Sequence, residues 1–158
     1  MTIKLVKPEL VLELIDDIYS AASDPLQWIP MAEKIQSSIG GHSVNFGLEN
    51  TQNPSFKHFY TNGATQHDVD YYEYNIIGKD SFNQIFDTVN VNSALLTQYI
   101  LDEKHLHQCY PYEEFYEPLG FSYFNASLFY RDEEQRGWLS VVRNIRDPLF
   151  SLEELNLM

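Results

Sequence analysis

The chain has 158 residues, a length that suits one domain burying roughly 70% of its extended-chain surface without disulfide or metal staples. Its net charge of −13, from 23 acidic against 10 basic side chains, repels a phosphate backbone and excludes nucleic acid as a partner of this segment. The lone Cys109 excludes an internal disulfide framework, and no run approaches the roughly 20 apolar residues of a membrane helix.

The first nine residues, Met1 to Glu9, lack the apolar centre of a secretory signal, so the expected compartment is the cytoplasm, with no membrane as partner. Residues 8–22 then open on Pro8 and set Val11, Leu14, Ile15, Ile18 and Tyr19 on one side, with Glu13, Asp16 and Asp17 on the other. That spacing predicts an amphipathic helix. Ser23-Asp24-Pro25 ends it and starts another, because Asp24 can accept from the free N–H groups of the next turn and Pro25 has none to satisfy. The second helix carries Trp28, Met31, Ile35 and Ile39 and stops at Gly40-Gly41.

From His42 the period changes to two, with Val44, Phe46 and Leu48 alternating against Ser43, Asn45 and Gly47, the pattern of a half-buried strand. Turn chemistry from Asn50 to Pro54 and a second strand over residues 55–61 predict a hairpin closed by Asn62-Gly63. Val69, Tyr72 and Ile76 return to helical spacing up to Gly78, and residues 81–86 read as a short helical turn. Residues 87–110 carry no legible period. A brief helix over 112–117 must end before Pro118 and Gly120.

A second hairpin follows. Phe124, Ala126, Leu128 and Tyr130 share one face of a strand over 122–130, paired across an acidic turn with residues 138–143. Ser151 with Glu154 forms a capping box opening a last helix that has barely begun at Met158. Together these elements predict a mixed α/β (α+β) domain: an antiparallel sheet of about five strands flanked by helices, continuous over residues 1–158.

Ile18-Tyr19, Ala21-Ala22, Asp24-Pro25 and Trp28 resemble the opening signature of the GAF/PAS-like sensory domains found ahead of LuxR-type helix-turn-helix modules. Tyr71-Tyr72, Asp80 and Phe82 resemble that family's tyrosine-rich helix and following turn, and residues 112–120 its helix ending in Pro-x-Gly. Arg131-Asp132, Trp138-Leu139-Ser140 and Arg143 fall where the family has its last hairpin, and Phe150-Ser151 with Glu153-Glu154-Leu155 matches its linking helix. The resemblance covers about residues 11–157. It implies a sensory domain that transmits small-molecule occupancy through its C-terminal helix to a DNA-binding module expected downstream and absent from these residues. An excised segment of a longer regulator is the favoured reading, because a capped helix with so little to bury is a poor natural terminus. The Trp, Tyr and Asp arrangement of acyl-homoserine-lactone receptors is not recognisable, so ligand identity does not transfer.

His105, His107 and Cys109 are the one cluster of metal-ligand type, but nothing adjacent supplies the third and fourth ligands of a zinc site, so no metal and no cofactor are expected. A nucleophilic role for Cys109 needs a neighbouring base in a triad, which His107 does not provide. Gly-rich phosphate loops, nucleophile elbows and zincin motifs are absent, and the expectation is a domain without enzymatic activity. The aromatic content, 11 Tyr, 10 Phe and 2 Trp, is the stronger functional signal. Phe46, Tyr72, Ile76, Phe115, Tyr123 and Asn125 are read as lining a mostly apolar ligand pocket between sheet and helices. The same rings packed into a filled core are the competing outcome. The expected partners are a small-molecule effector and, through the N-terminal helix or an exposed sheet face, a second copy in a homodimer. Two alternatives stay open: a solid interaction module without a small-molecule ligand, and a small enzyme built on the His105/His107/Cys109 region.

Overall fold

The computed structural model describes residues 7–158; Met1 to Val6, part of the stretch read for a secretory signal, lie outside the described residues. Helices α1 (Pro8–Ser23) and α2 (Trp28–Ile39) are joined by a 3-10 turn at Pro25–Gln27. Asp24 accepts from the Leu26 N–H at that turn, and Gly40 ends α2 at φ 80°, a left-handed angle that glycine adopts without Cβ strain. Strands β1 (Ser43–Asn50) and β2 (Ser55–Thr61) form the first hairpin, followed by α3 (Gln66–Asn75) and α4 (Ser81–Asp87). A Thr65–Asp68 capping box starts α3, while the side chain of Asp80 accepts from the Phe82 N–H to start α4.

The stretch without a legible period holds strand β3 (Ser93–Leu96), a 3-10 turn (Thr97–Tyr99) and α5 (Glu103–Leu106). Each is at most one turn or four residues long, too short to display a repeat. A π-helical turn at Tyr112–Tyr116 precedes β4 (Tyr123–Arg131), β5 (Gln135–Arg143) and the closing α6 (Leu152–Leu155). The Ser151–Glu154 capping box of α6 is formed as its spacing predicts.

All five strands join one antiparallel sheet in the order β2-β1-β5-β4-β3, so the predicted class holds. Register decides which side chains share a face. Phe46 pairs with Leu139, and Asn125 with Val141. Their face is covered by α2, where Trp28 stacks on Phe46 at 5.2 Å, and by α6, whose Glu154 carbonyl accepts from Asn125 Nδ2 at 2.9 Å. The other face carries Asn45 opposite Ser140 and Phe124 opposite Val142, and α3, α4 and the π turn lie over it.

α1 forms where its spacing predicts, with most of its apolar side left open. Only Leu14 and Ala21 are buried, while Val11, Ile15, Ile18 and Tyr19 are exposed. The helix lies on α2, tied by Lys34 Nζ to Asp17 (2.6 Å) and Glu13 (3.4 Å). A helix that rests on another helix and the adjoining 3-10 turn buries a narrow seam rather than the wide apolar stripe of one lying on a sheet. No helix among the described residues is long and apolar enough to cross a membrane.

Candidate ligand cavity

Between the sheet and its α3/α4 cover lies a cavity of about 70 Å³. Its floor is the sheet: Asn45 of β1, Phe124 of β4, Trp138 and Ser140 of β5, with Leu95 of β3. Phe56, Phe59 and Thr61 of β2 close one side. Val69 and Tyr72 of α3, then Phe82, Asn83, Ile85 and Phe86 of α4, form the roof, and Phe115 and Tyr116 of the π turn complete it. The rings are in contact throughout. Phe56 stacks on Phe59 at 4.3 Å and on Tyr72 at 5.9 Å, Tyr72 meets Phe115 at 5.3 Å, and Tyr116 meets Phe82 and Phe124 at 5.0 and 5.6 Å. Offset and edge-to-face ring pairs of this kind each add about 0.5–1.5 kcal/mol beyond the area they bury. A groove of about 380 Å³ adjoins the cavity between β2 and α3, sharing Phe56, Phe59, Thr61, Ala64 and Val69 with it. The cavity alone is below the roughly 300–1,000 Å³ of ordinary ligand sites, and the groove is an open, mainly polar surface feature lined also by Lys57, His58, Gln66 and Glu73.

A buried carboxylate organises the roof. Asp80 Oδ2 accepts hydrogen bonds from the hydroxyls of Tyr72 (2.6 Å) and Tyr116, while Oδ1 accepts from the Phe82 N–H at 2.8 Å. Burial raises its carboxyl above the ordinary value against the lowering effect of those donors, and burial with the Asp80 charge raises both phenols well above theirs. The carboxylate thus fixes the ends of two cavity rings and the start of α4 at once. At the far end of α4, Arg136 Nε donates to Glu49, and its Nη1 donates to the Asn83 carbonyl (3.1 Å) and to Asp87 (2.9 Å). Arg131 donates to the carbonyls of Val89 (3.0 Å) and Phe86 (2.6 Å). Glu49 and Arg136 are each 4% exposed. The roof is therefore anchored at both ends by charged groups.

Of the six residues read from the sequence as pocket-lining, Tyr72 and Phe115 lie on the cavity wall. Ile76, 1% exposed, packs in the core beside it. Phe46, Tyr123 and Asn125 point to the α2/α6 face, as the register pairs Phe46 with Leu139 and Tyr123 with Arg143. Sequence reasoning does not place Asn45, Asp80 or Tyr116 at the site, although Asp80 and Tyr116 fall in segments that carry the family resemblance. The helix-starting position of Asp80 is legible, but its burial beneath two phenols is not. His105 Nδ1 lies 2.7 Å from Asp102 and His107 Nδ1 3.0 Å from Glu113.

The cavity touches the segment that holds α6. Thr97 lines it, with its Oγ1 accepting from the Phe124 N–H at 2.9 Å. The next residue, Gln98, exchanges two hydrogen bonds of 2.8 Å with the backbone of Phe150. Arg143 completes the attachment, donating to Glu154 (2.9 Å), to the carbonyls of Ile39, Gly40 and Pro148, and lying 4.1 Å from the Phe150 ring centroid. Arg143→Ala should cost about 2–3 kcal/mol, since it strips acceptors on α2 and α6 together. Hydrogen exchange at the amides of residues 151–157 should accelerate far more than at β4; equal acceleration everywhere would show that Arg143 does not hold α6 specifically.

No protein-family model matches the sequence, and no curated protein does. Solved structures do match in shape. VqsR from Pseudomonas aeruginosa, solved as its LBD domain, is similar over 92% of this chain and 85% of that one, with a TM-score of 0.68 and 15% identity. CepR2 from Burkholderia cenocepacia, an N-acylhomoserine-lactone-dependent LuxR-family transcription factor, is similar over 94% and 85%, with a TM-score of 0.66 and 14% identity. SdiA from Escherichia coli follows over 80% of this chain and 54% of its own, with a TM-score of 0.50 and 16% identity. The chain therefore shares its fold with these solved structures.

Proposed function

We propose that the chain is a signal-receiving regulatory domain of LuxR type, in which a small molecule occupies the cavity under α3 and α4 and α6 conveys that occupancy to an attached DNA-binding module. The observation that supports it best is an aromatic-walled cavity on one sheet face whose wall residue Thr97 precedes the Gln98 grip on Phe150. A ligand moves the output only as far as its affinity for two arrangements of that grip differs, so binding alone is not sufficient. The reading is non-catalytic: the buried Asp80 spends its acceptors on Tyr72, Tyr116 and the Phe82 N–H.

The exposed apolar side chains of α1 and its neighbours, among them Leu12, Ile15, Tyr19 and Leu26, support pairing with a second copy, which suits a regulator acting on paired half-sites. One experiment addresses both parts. Native mass spectrometry of the purified chain, exposed to a cell extract and then exchanged into volatile buffer, should give a dimer carrying a small-molecule adduct. The adduct should vanish in Leu95→Trp, which fills the cavity, while the dimer persists. An adduct of equal abundance in Leu95→Trp, or none in the parent chain, counts against the sensor reading; a monomer at micromolar concentration counts against the pairing.

A further inference from the structure

Among the described residues, Asn45 is the one on the cavity wall with a buried side-chain polar atom left without a partner. It is 5% exposed, lies on the cavity floor, and its Oδ1 has no hydrogen-bond partner among the described residues. Its Nδ2 reaches only Ser140 Oγ, at a long 3.4 Å. The other orphan side-chain atoms, Ser43 Oγ and Asn125 Oδ1, belong to residues outside the cavity wall. An unmet acceptor in such a place is costly, because nothing replaces the water it gave up. An apolar side chain of the same shape would avoid that cost, so the amide needs a reason to be there.

The charged groups around the cavity are already matched. Asp80 is filled by two phenols and a backbone N–H, and Arg136 by Glu49, Asp87 and the Asn83 carbonyl. A charged ligand would therefore enter without a counter-charge and keep its desolvation cost. A wall of rings with a single open acceptor sets a narrower requirement. We propose that Asn45 is the specificity-determining residue of this cavity, taking a neutral and largely apolar ligand through one hydrogen-bond donor, a hydroxyl or an N–H, delivered to Oδ1. The assignment rests on the sensor reading above and adds the chemical class of the ligand.

Three probes of similar length test it on the full chain by NMR titration: 1-octanol, heptyl methyl ether and octanoate. The ether has nearly the shape of the alcohol but no donor, so the parent chain should bind the alcohol about 10-fold more tightly, the usual scale for one unpaired buried polar group. Octanoate should not compete. In Asn45→Leu/Ser140→Ala the preference should disappear and the ether should bind at least as well. The same variant should melt about 2–6 °C higher, having lost an unmatched acceptor.

Equal binding of alcohol and ether by the parent chain overturns the role of Asn45 and leaves the sensor reading in place; this contrast needs no variant to fold. Failure of both alkyl probes to bind the parent chain removes the sensor reading, and the assignment with it. A lower melting temperature in the double variant also overturns the assignment, since it makes the pair a structural bond.

Discussion

Arg136→Ala is expected to destabilise the domain by about 3–5 kcal/mol, the usual cost of leaving one partner of a buried ion pair uncompensated. The cause is Glu49, 4% exposed, which would keep its burial and lose its guanidinium. Burial raises the Glu49 carboxyl above its ordinary value even with Arg136 beside it. Its folded pKa thus exceeds the unfolded one, so its contribution is most favourable below the unfolded value and is lost as pH rises through the folded value. Without Arg136 that folded value climbs further, and the variant's deficit should shrink as pH falls from 7 toward 5. Replacing both partners, Glu49→Leu with Arg136→Met, should recover most of the stability, because neither charge is then buried. Urea midpoints of the three proteins at two pH values decide the matter. A pH-independent deficit, or a double variant as weak as the single, would remove the ion pair as the cause. α4 should also loosen, since Arg136 holds the Asn83 carbonyl and Asp87.

Asp80→Ala should cost a comparable 3–5 kcal/mol for a different reason. It leaves the Tyr72 and Tyr116 hydroxyls and the Phe82 N–H without their acceptor, two of the three being on buried rings. It also removes the residue that starts α4, a loss worth about 0.5–2 kcal/mol by itself and included in that total. Asp80→Asn separates geometry from charge. The amide can still accept at one atom and donate to a phenol oxygen at the other, so its cost should stay below about 1.5 kcal/mol near neutral pH. Because burial raises the Asp80 carboxyl, the parent chain loses stability as pH rises through the folded value, and Asp80→Asn should flatten that slope. Thermal midpoints between pH 4 and pH 7 give the comparison; an unchanged slope would place the titration elsewhere.

How far the sequence can be read follows from how each feature is encoded. The two hairpins are legible because alternation over five or more residues fits a half-buried strand and little else, and the capping box at Ser151 because its two residues sit at fixed spacing. β3 escapes because Ser93–Leu96 offers four residues between turns. For the site, the rings can be chosen by type but not by side of the sheet. In β1 the apolar alternates, Val44, Phe46 and Leu48, pack toward α2, whereas the cavity side reads Ser43, Asn45, Gly47 and Glu49. That series looks like a solvent face. It is enclosed because α3, α4 and the π turn lie over it, with Glu49 meeting Arg136, 87 residues later in the chain. On β4 the shared face of Phe124, Ala126 and Leu128 is legible, yet nothing local says that this face, and not that of Tyr123 and Asn125, borders the cavity. Such information resides in the pairing of distant strands.

The inward use of arginine has an effect at long range. Arg136 and Arg143 each spend their charge on a carboxylate inside the fold, so the outer shell has few cations to set against the remaining acids of a chain at −13. Two such molecules approaching in dilute buffer meet mutual repulsion that mobile ions weaken over a Debye length of about 8–10 Å. Raising ionic strength should therefore favour self-association, with the apolar residues along α1 supplying the adhesion once the halo is damped.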